Sequence, residues 1–156
     1  MVTPLNLRLI APKLMAAILA FGITLFFTAL PRIYLFSPSV PMNLITFLAL
    51  LYWIVMVLSA VRVNRLAIMN ADAIQQLALT GIYRHVRHPM YSAHIALAWG
   101  FFLSFPSVRI LVCAVWLTLI VLFWTELEEK AMLQKFGTAY REYQQTTPKF
   151  IPRLKI

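Results

Sequence analysis

The sequence has 156 residues, of which 62% are hydrophobic and only 12% are charged. A soluble domain carries about a quarter charged residues, so this composition excludes an ordinary water-soluble protein and indicates a chain covered largely by lipid. The net charge is +9, from 14 Lys and Arg against 5 Asp and Glu. Because these charges lie between apolar runs, we assign them to anionic lipid headgroups and expect no nucleic-acid partner.

Four apolar stretches follow one another along the chain, each close to the roughly 20 residues that cross a bilayer as a helix. They cover residues 14–30, 41–61, 89–105 and 107–125. Lipid offers the backbone no hydrogen-bond partners, so each stretch is predicted to be a transmembrane helix. Arg8 and Lys13 precede the first stretch as in a signal peptide, but no small-residue cleavage site follows it. We therefore expect a retained helix.

Basic residues are distributed unevenly around these four stretches. Twelve of the 14 Lys and Arg residues lie before the first stretch, between the second and the third, or after the fourth. Cytoplasmic segments of membrane proteins carry an excess of cations. Both termini and residues 62–88 are therefore predicted to be cytoplasmic, and a prokaryotic plasma membrane is the expected location.

Residues 81–91, with the sequence GIYRHVRHPMY, are dense in basic and aromatic side chains. Pro89 suits the first turn of a helix, where its missing N–H has no partner to lose. The free N–H groups of a helix start favour an anion, and Arg87 and His88 add donors there. The alternative interpretation is an interfacial anchor at the depth of the lipid headgroups.

Most of the acidic residues lie directly after the fourth stretch, where Glu126 is followed by a pair, Glu128 and Glu129. The connection at residues 104–107 is short enough to force the last two transmembrane helices into an antiparallel hairpin. We therefore expect this acidic pair to lie beside the helix start at Pro89. The alternative is a solvated helix end with ordinary i,i+4 charge pairing.

An amphipathic stripe follows over residues 131–145. Its apolar members recur at spacings of three and four residues and are Leu133, Phe136, Tyr140 and Tyr143. This spacing predicts a C-terminal amphipathic helix that packs against the other helices. The chain is thus predicted to be one all-α membrane domain over residues 1–156, a polytopic bundle of about four transmembrane helices plus this helix.

Together the two polar segments resemble the family of isoprenylcysteine carboxyl methyltransferases and phospholipid methyltransferases. The similarity covers roughly residues 77–153, and the matching elements are residues 80–83, residues 87–91, the pair Glu128 and Glu129, Phe136 with Gly137, and Tyr140 with Tyr143. In that family these segments, here about 77–91 and 126–145, form a site for S-adenosylmethionine. The resemblance implies that this cofactor is bound by Leu77, Ala78, Tyr83, Arg87, His88, Pro89, Tyr91, Glu128 and Glu129.

The chemistry of this cofactor agrees with the residues. It carries a sulfonium, an ammonium and a carboxylate: the helix start with Arg87 suits the carboxylate, and the acidic pair suits the ammonium or the ribose hydroxyls. The sulfonium already activates the methyl group, so the protein has to align the reactants and exclude water. Arg84 and Arg87 are candidates for orienting the acceptor. No metal site is expected, because His85 and His88 have no further ligand in the sequence pattern.

Two residues depart from the family pattern. Ala93 stands where glycine is usual, and Trp124 stands where the carboxyl methyltransferases have an arginine that holds the substrate carboxylate. The leading hypothesis is methyl transfer to a lipid-linked or amphiphilic acceptor at the cytoplasmic face, as in isoprenylcysteine carboxyl O-methyltransferases. Trp124 favours the alternative of a phospholipid or small-amine N-methyltransferase. An alternative of another class is a non-catalytic, lipid-binding membrane protein.

Overall fold

A computed structural model describes residues 12–63 and 77–152. Its α-helices are α1 (Pro12–Ala29), α2 (Val40–Val63), α3 (Pro89–Ser104), α4 (Val108–Phe136) and α5 (Thr138–Thr146), and a short 3-10 helix (Gly81–Arg84) precedes α3. Arg8, which entered the orientation prediction, lies outside the described residues, as does residue 153 at the end of the family resemblance.

The prediction of an all-α membrane bundle is confirmed over the described ranges. Within them, α2 and α4 are long and apolar enough to cross a membrane by length and composition, and α1 is apolar but slightly shorter. Large apolar side chains on these helices face outward, with Phe21 70% exposed and Leu119 58% exposed. An exposed apolar surface of this extent is what a helix surrounded by lipid presents.

The last transmembrane helix differs most from its predicted length. The apolar pattern predicts an end at residue 125, but α4 continues through the acidic residues to Phe136 and takes in the first part of the predicted amphipathic helix. Glu, Leu, Lys and Gln are all good helix formers, so a change from apolar to polar side chains does not end a helix. Gly137, at φ 56°, does end it, and α5 follows.

The helices pack in the order α2, α3, α4, α1, each against the next. The backbones of α2 and α3 approach each other closely at Gly100. A Cβ atom added there would lie 3.0 Å from the Ala49 Cβ and 3.2 Å from the Thr46 Cα. The Thr46 hydroxyl donates a hydrogen bond to the Gly100 carbonyl at the same level. Small residues at such points let two helix backbones meet in lipid.

Gly100→Leu should therefore force α2 away from α3. We expect the free energy of unfolding to fall by about 1–3 kcal/mol, the usual range for overpacking. The measurement is the unfolding midpoint of the purified protein in detergent. Phe101→Leu, at a side chain that is half exposed, is the control and should change stability by less than about 0.5 kcal/mol. Equal midpoints for the two variants would contradict the close α2–α3 contact.

The turn between α3 and α4 is tied to the connection between α1 and α2. The Leu35 N–H donates to the Pro106 carbonyl at 2.7 Å, and the Val108 N–H donates to the Ile33 carbonyl at 2.9 Å. These bonds hold the two hairpins together at one end of the bundle. The start of α3 and the polar part of α4 consequently meet at the other end.

Candidate active site

His88 is the N-cap residue of α3 and follows an irregular segment. Pro89 is the first residue of α3, and the Ser92 N–H closes the first turn on the His88 carbonyl at 3.0 Å. Gly81 opens the preceding 3-10 helix at φ 60°, and a Cβ there would lie 2.6 Å from the Val63 Cγ2. A left-handed backbone pressed against α2 requires glycine. Pro89 thus begins the helix as the sequence predicts.

The acidic pair of Glu128 and Glu129 contacts the start of α3. The His88 Nε2 lies 3.0 Å from the Glu129 Oε1, and the Tyr91 hydroxyl donates to the Glu128 Oε1 at 2.6 Å. A carboxylate only accepts hydrogen bonds, so the His88 Nε2 carries the proton in this pair. The second ring nitrogen, Nδ1, lies 3.8 Å from the Glu128 Oε2. The hairpin therefore brings together the two segments that the sequence analysis singled out.

The Arg87 side chain forms its hydrogen bonds with groups of the protein itself. Its Nε donates to the Glu129 Oε1 at 3.0 Å, and its Nη1 donates to the carbonyls of Gln144 and Thr147 at 2.8 and 2.7 Å. Only 10% of the side chain is exposed. Arg87 thus connects the start of α3 to α4 and to the end of α5.

Backbone N–H groups at this helix start also have hydrogen-bond partners within the protein. The N–H groups of Arg87 and His88 donate to the carbonyls of Pro148 and Lys149 at 2.9 and 3.1 Å. The sequence predicts free N–H groups at this helix start, and for these two residues that prediction is wrong. Residues 147–150 run alongside and supply the carbonyl oxygens that a buried N–H needs.

The two carboxyl groups of the acidic pair have opposite electrostatic environments. Both lie in the part of α4 that extends beyond the apolar stretch. Burial disfavours the ionised form of Glu129, but the hydrogen bond and charge of His88 and the charges of Arg87 and Lys149 outweigh it and lower the pKa to about 2. For Glu128, burial dominates and raises the pKa, although His88 and the hydrogen bond from Tyr91 act against it. Glu129 is thus held as a carboxylate, whereas Glu128 lacks full compensation for its charge.

Tyrosines form one wall of this site. The Tyr143 hydroxyl donates to the Tyr83 carbonyl at 2.5 Å, and both Tyr140 and Tyr143 are buried. Burial raises the pKa of Tyr83, and the negative charge of Glu128 raises it further. The Tyr91 ring stacks on the His88 ring with centroids 5.7 Å apart.

The structure also describes the remaining predicted site residues, Leu77, Ala78 and Arg84. Leu77 and Ala78 are half-buried in the irregular segment before the 3-10 helix. Arg84 is exposed and borders a cavity of about 370 Å³. The cavity is lined by Leu79, Arg84, Ala139, Glu142, Tyr143, Thr146 and Thr147. In the described part of the chain, no group of three or more His, Cys, Asp or Glu side chains is placed to hold a metal ion.

The two residues that depart from the family pattern are both buried. Trp124 is 3% exposed and packs with Met15 of α1, and Tyr91 packs against the same cluster. Its indole thereby joins α1 to α4 beside the site. Ala93 has no exposed surface, so this position leaves no room for a larger side chain.

Sequence reasoning missed two residues of the site, Gln144 and Lys149. The Gln144 Nε2 donates to the Glu129 Oε2 at 2.9 Å. The Lys149 Nζ forms an ion pair with Glu126 and lies 3.7 Å from the Glu129 Oε2. Lys149 stands in an irregular segment without periodicity. The signal that could have found it is an isolated cation directly after the amphipathic stripe.

Comparison with known proteins gives two matches. The sequence profile of a family described as phospholipid methyltransferase matches residues 42–139. A methanethiol S-methyltransferase of Pseudomonas deceptionensis is 36% identical over 76 residues, which are 47% of this chain and 28% of that protein. This chain therefore spans less than a third of the length of that relative. No solved structure matches.

Proposed function

Because the chain belongs to the phospholipid methyltransferase family, we propose that it transfers a methyl group from S-adenosylmethionine to an amphiphilic acceptor at the cytoplasmic face of a membrane. The observation that carries this proposal is the contact of the acidic pair with His88 and Tyr91. The distribution of basic residues supports the cytoplasmic side.

The charges at the site fit this cofactor. Three carboxylates, of Glu126, Glu128 and Glu129, lie here with two permanent cations. Arg87 pairs with Glu129, and Lys149 pairs with Glu126 and lies near Glu129. With the three carboxylates ionised, their negative charge exceeds that of these two permanent cations by one. S-adenosylmethionine has one net positive charge, from a sulfonium, an ammonium and a carboxylate. Opposite net charges favour binding, and the carboxylate oxygens can accept hydrogen bonds from the ammonium or the ribose.

The residues of the chain have three tasks in the proposed reaction. The cofactor, when bound, supplies a methyl group that its sulfonium activates. Glu128, held by the Tyr91 hydroxyl, accepts hydrogen bonds from the ammonium. Arg87 and Glu129 keep α3, α4 and α5 in one arrangement, so that the bound groups are aligned. Phe150, whose ring centroid lies 6.0 Å from that of His88, helps to exclude water.

The acceptor is proposed to enter from the bilayer, because the site lies at the end of apolar helices. Trp124 offers no cation to an acceptor carboxylate, and its indole is packed against Met15. This supports an acceptor with a neutral nucleophile, such as the amine of a phospholipid or of a small molecule, ahead of the carboxyl group of a prenylated cysteine. A thiol acceptor is the second candidate, favoured by the methanethiol S-methyltransferase to which this chain is similar.

A labelling experiment tests the acceptor class. The protein in detergent is incubated with methyl-labelled S-adenosylmethionine and, separately, with lipid extract, small amines, small thiols and prenylated cysteine. We expect the label in an amine or a thiol. Label on the prenylated cysteine would overturn the acceptor proposal. If the protein neither transfers the label nor binds the cofactor, it is a non-catalytic lipid-binding protein and the whole proposal is wrong.

Tyr91→Phe tests the role of the hydrogen bond to Glu128. Removing one hydrogen bond to a charged group should weaken cofactor binding about tenfold, with little change in the unfolding midpoint because the ring stays in place. The measurement is isothermal titration calorimetry with S-adenosylmethionine. Tyr34→Phe is the matched control, since Tyr34 lies in the α1–α2 connection and is 55% exposed. Equal affinities of the two variants would remove Tyr91 from the site.

A further inference from the structure

The two permanent cations at the acidic pair differ in how firmly they are held. Arg87 bonds one carboxylate and two carbonyls and is 10% exposed. Removing it from any of these partners would leave a buried polar group unsatisfied. Arg87 is therefore not free to turn toward a ligand.

Lys149 is held by its backbone and has a more mobile head. Its carbonyl accepts from the His88 N–H at 3.1 Å, which fixes the start of the side chain beside the acidic pair. The ammonium pairs with Glu126, whose side chain is 61% exposed, and the Lys149 side chain as a whole is 22% exposed. An ion pair with an exposed carboxylate contributes little to stability. The Lys149 ammonium can therefore exchange Glu126 for another anion.

Its position suits one end of the cofactor. The amino-acid end of S-adenosylmethionine carries an ammonium and a carboxylate on the same carbon, so a site for it needs an anion and a cation side by side. The Lys149 Nζ lies 3.7 Å from the Glu129 Oε2, and Glu128 is the neighbour of Glu129 on α4. An ammonium also has three N–H donors to share between a side-chain carboxylate and a ligand.

We propose that Lys149 binds the carboxylate of S-adenosylmethionine while Glu128 binds its ammonium. This inference rests on the proposed function. It assigns the cofactor's carboxylate to Lys149 instead of Arg87, the residue that the sequence pattern favours. It also gives residues 147–150 a part in the site: they hold the start of α3 and supply the cation that recognises the cofactor.

Decarboxylated S-adenosylmethionine, which lacks only this carboxylate, is the probe that isolates the interaction. Binding of both compounds to the protein in detergent is measured by calorimetry. Lys149→Gln should weaken binding of S-adenosylmethionine about tenfold. The same variant should bind the decarboxylated compound as well as the unchanged protein does, or more tightly, because one cation that repels it is gone. Lys149→Arg should retain most of the affinity, and Lys135→Gln, at an exposed lysine of α4, should change neither affinity.

The outcomes separate this inference from the proposed function. If the unchanged protein binds S-adenosylmethionine and Lys149→Gln weakens both compounds equally, or neither, Lys149 does not bind the carboxylate and the proposed function stands. If the unchanged protein binds neither compound, the proposed function fails and the inference with it. Unfolding midpoints of all variants show whether a loss of binding reflects a loss of folding.

Discussion

Replacing Glu129 with alanine is expected to destabilise the polar end of the bundle more than any other single change at the site. The Glu129 carboxylate bonds Arg87, His88 and Gln144. Without it, the Arg87 guanidinium would stay buried with no counter-charge. Breaking a buried ion pair in this way typically lowers the free energy of unfolding by about 3–5 kcal/mol.

Denaturant unfolding in detergent, followed by circular dichroism, measures this loss. Glu126→Ala is the matched control: it removes the same charge from the same helix at a side chain that is 61% exposed, and should change stability by less than about 1 kcal/mol. Arg87→Ala together with Glu129→Ala should lose less than the sum of the single changes, because the two residues share one interaction. Equal losses for Glu126→Ala and Glu129→Ala would contradict the structure.

Acid should produce the same effect in the unchanged protein. The pKa of Glu129, about 2, lies below the 4.5 of an unperturbed glutamate. A lowered pKa means that this carboxylate contributes its full stability above about pH 4.5, and that the contribution is lost as the pH falls from there toward 2. In Glu129→Ala, this part of the acid sensitivity should be missing.

The sequence is enough to predict which helices form the site, but not which cation pairs with which carboxylate. Long apolar runs and the short turn at residues 104–107 determine that α3 and α4 are antiparallel. Because they are antiparallel, Pro89 at the start of α3 lies beside the acidic pair. The length of an apolar run predicts a transmembrane helix reliably, because a lipid-exposed backbone has no alternative to a helix. The end of α4 could not be predicted in the same way, since its polar continuation consists of good helix formers.

Which cation pairs with which carboxylate was also beyond the sequence. Three cations are candidates to pair with the acidic residues: Arg84, Arg87 and Lys149. All three carry the same charge, so the sequence does not distinguish them. Burial separates them: Arg87 is enclosed by carbonyls of residues 144 and 147, whereas Arg84 is exposed. That difference depends on the irregular segment after α5, whose sequence has no periodicity from which its path could be predicted.

Glu128→Gln should have the opposite profile to Glu129→Ala, with binding lost and folding retained. Burial raises the pKa of Glu128, so the ionised carboxylate is unfavourable in the absence of a bound cation. An uncharged amide of the same shape removes that penalty, and the unfolding midpoint at neutral pH should stay the same or rise. Binding of S-adenosylmethionine should weaken about 100-fold, the upper range for one charge-assisted hydrogen bond.

The pH dependence of binding distinguishes a ligand-binding Glu128 from one that only packs. A bound ammonium favours the ionised carboxylate, so binding to the unchanged protein should release a proton and should strengthen as the pH rises through the raised pKa of Glu128. Without the cofactor, the raised pKa has the reverse consequence: the contribution of Glu128 to stability is fully present below about pH 4.5, the unperturbed value, and is lost as the pH rises through the raised pKa. Glu128→Gln should abolish both trends. If Glu128→Gln binds S-adenosylmethionine with the affinity and the pH profile of the unchanged protein, the cofactor's ammonium is bound elsewhere.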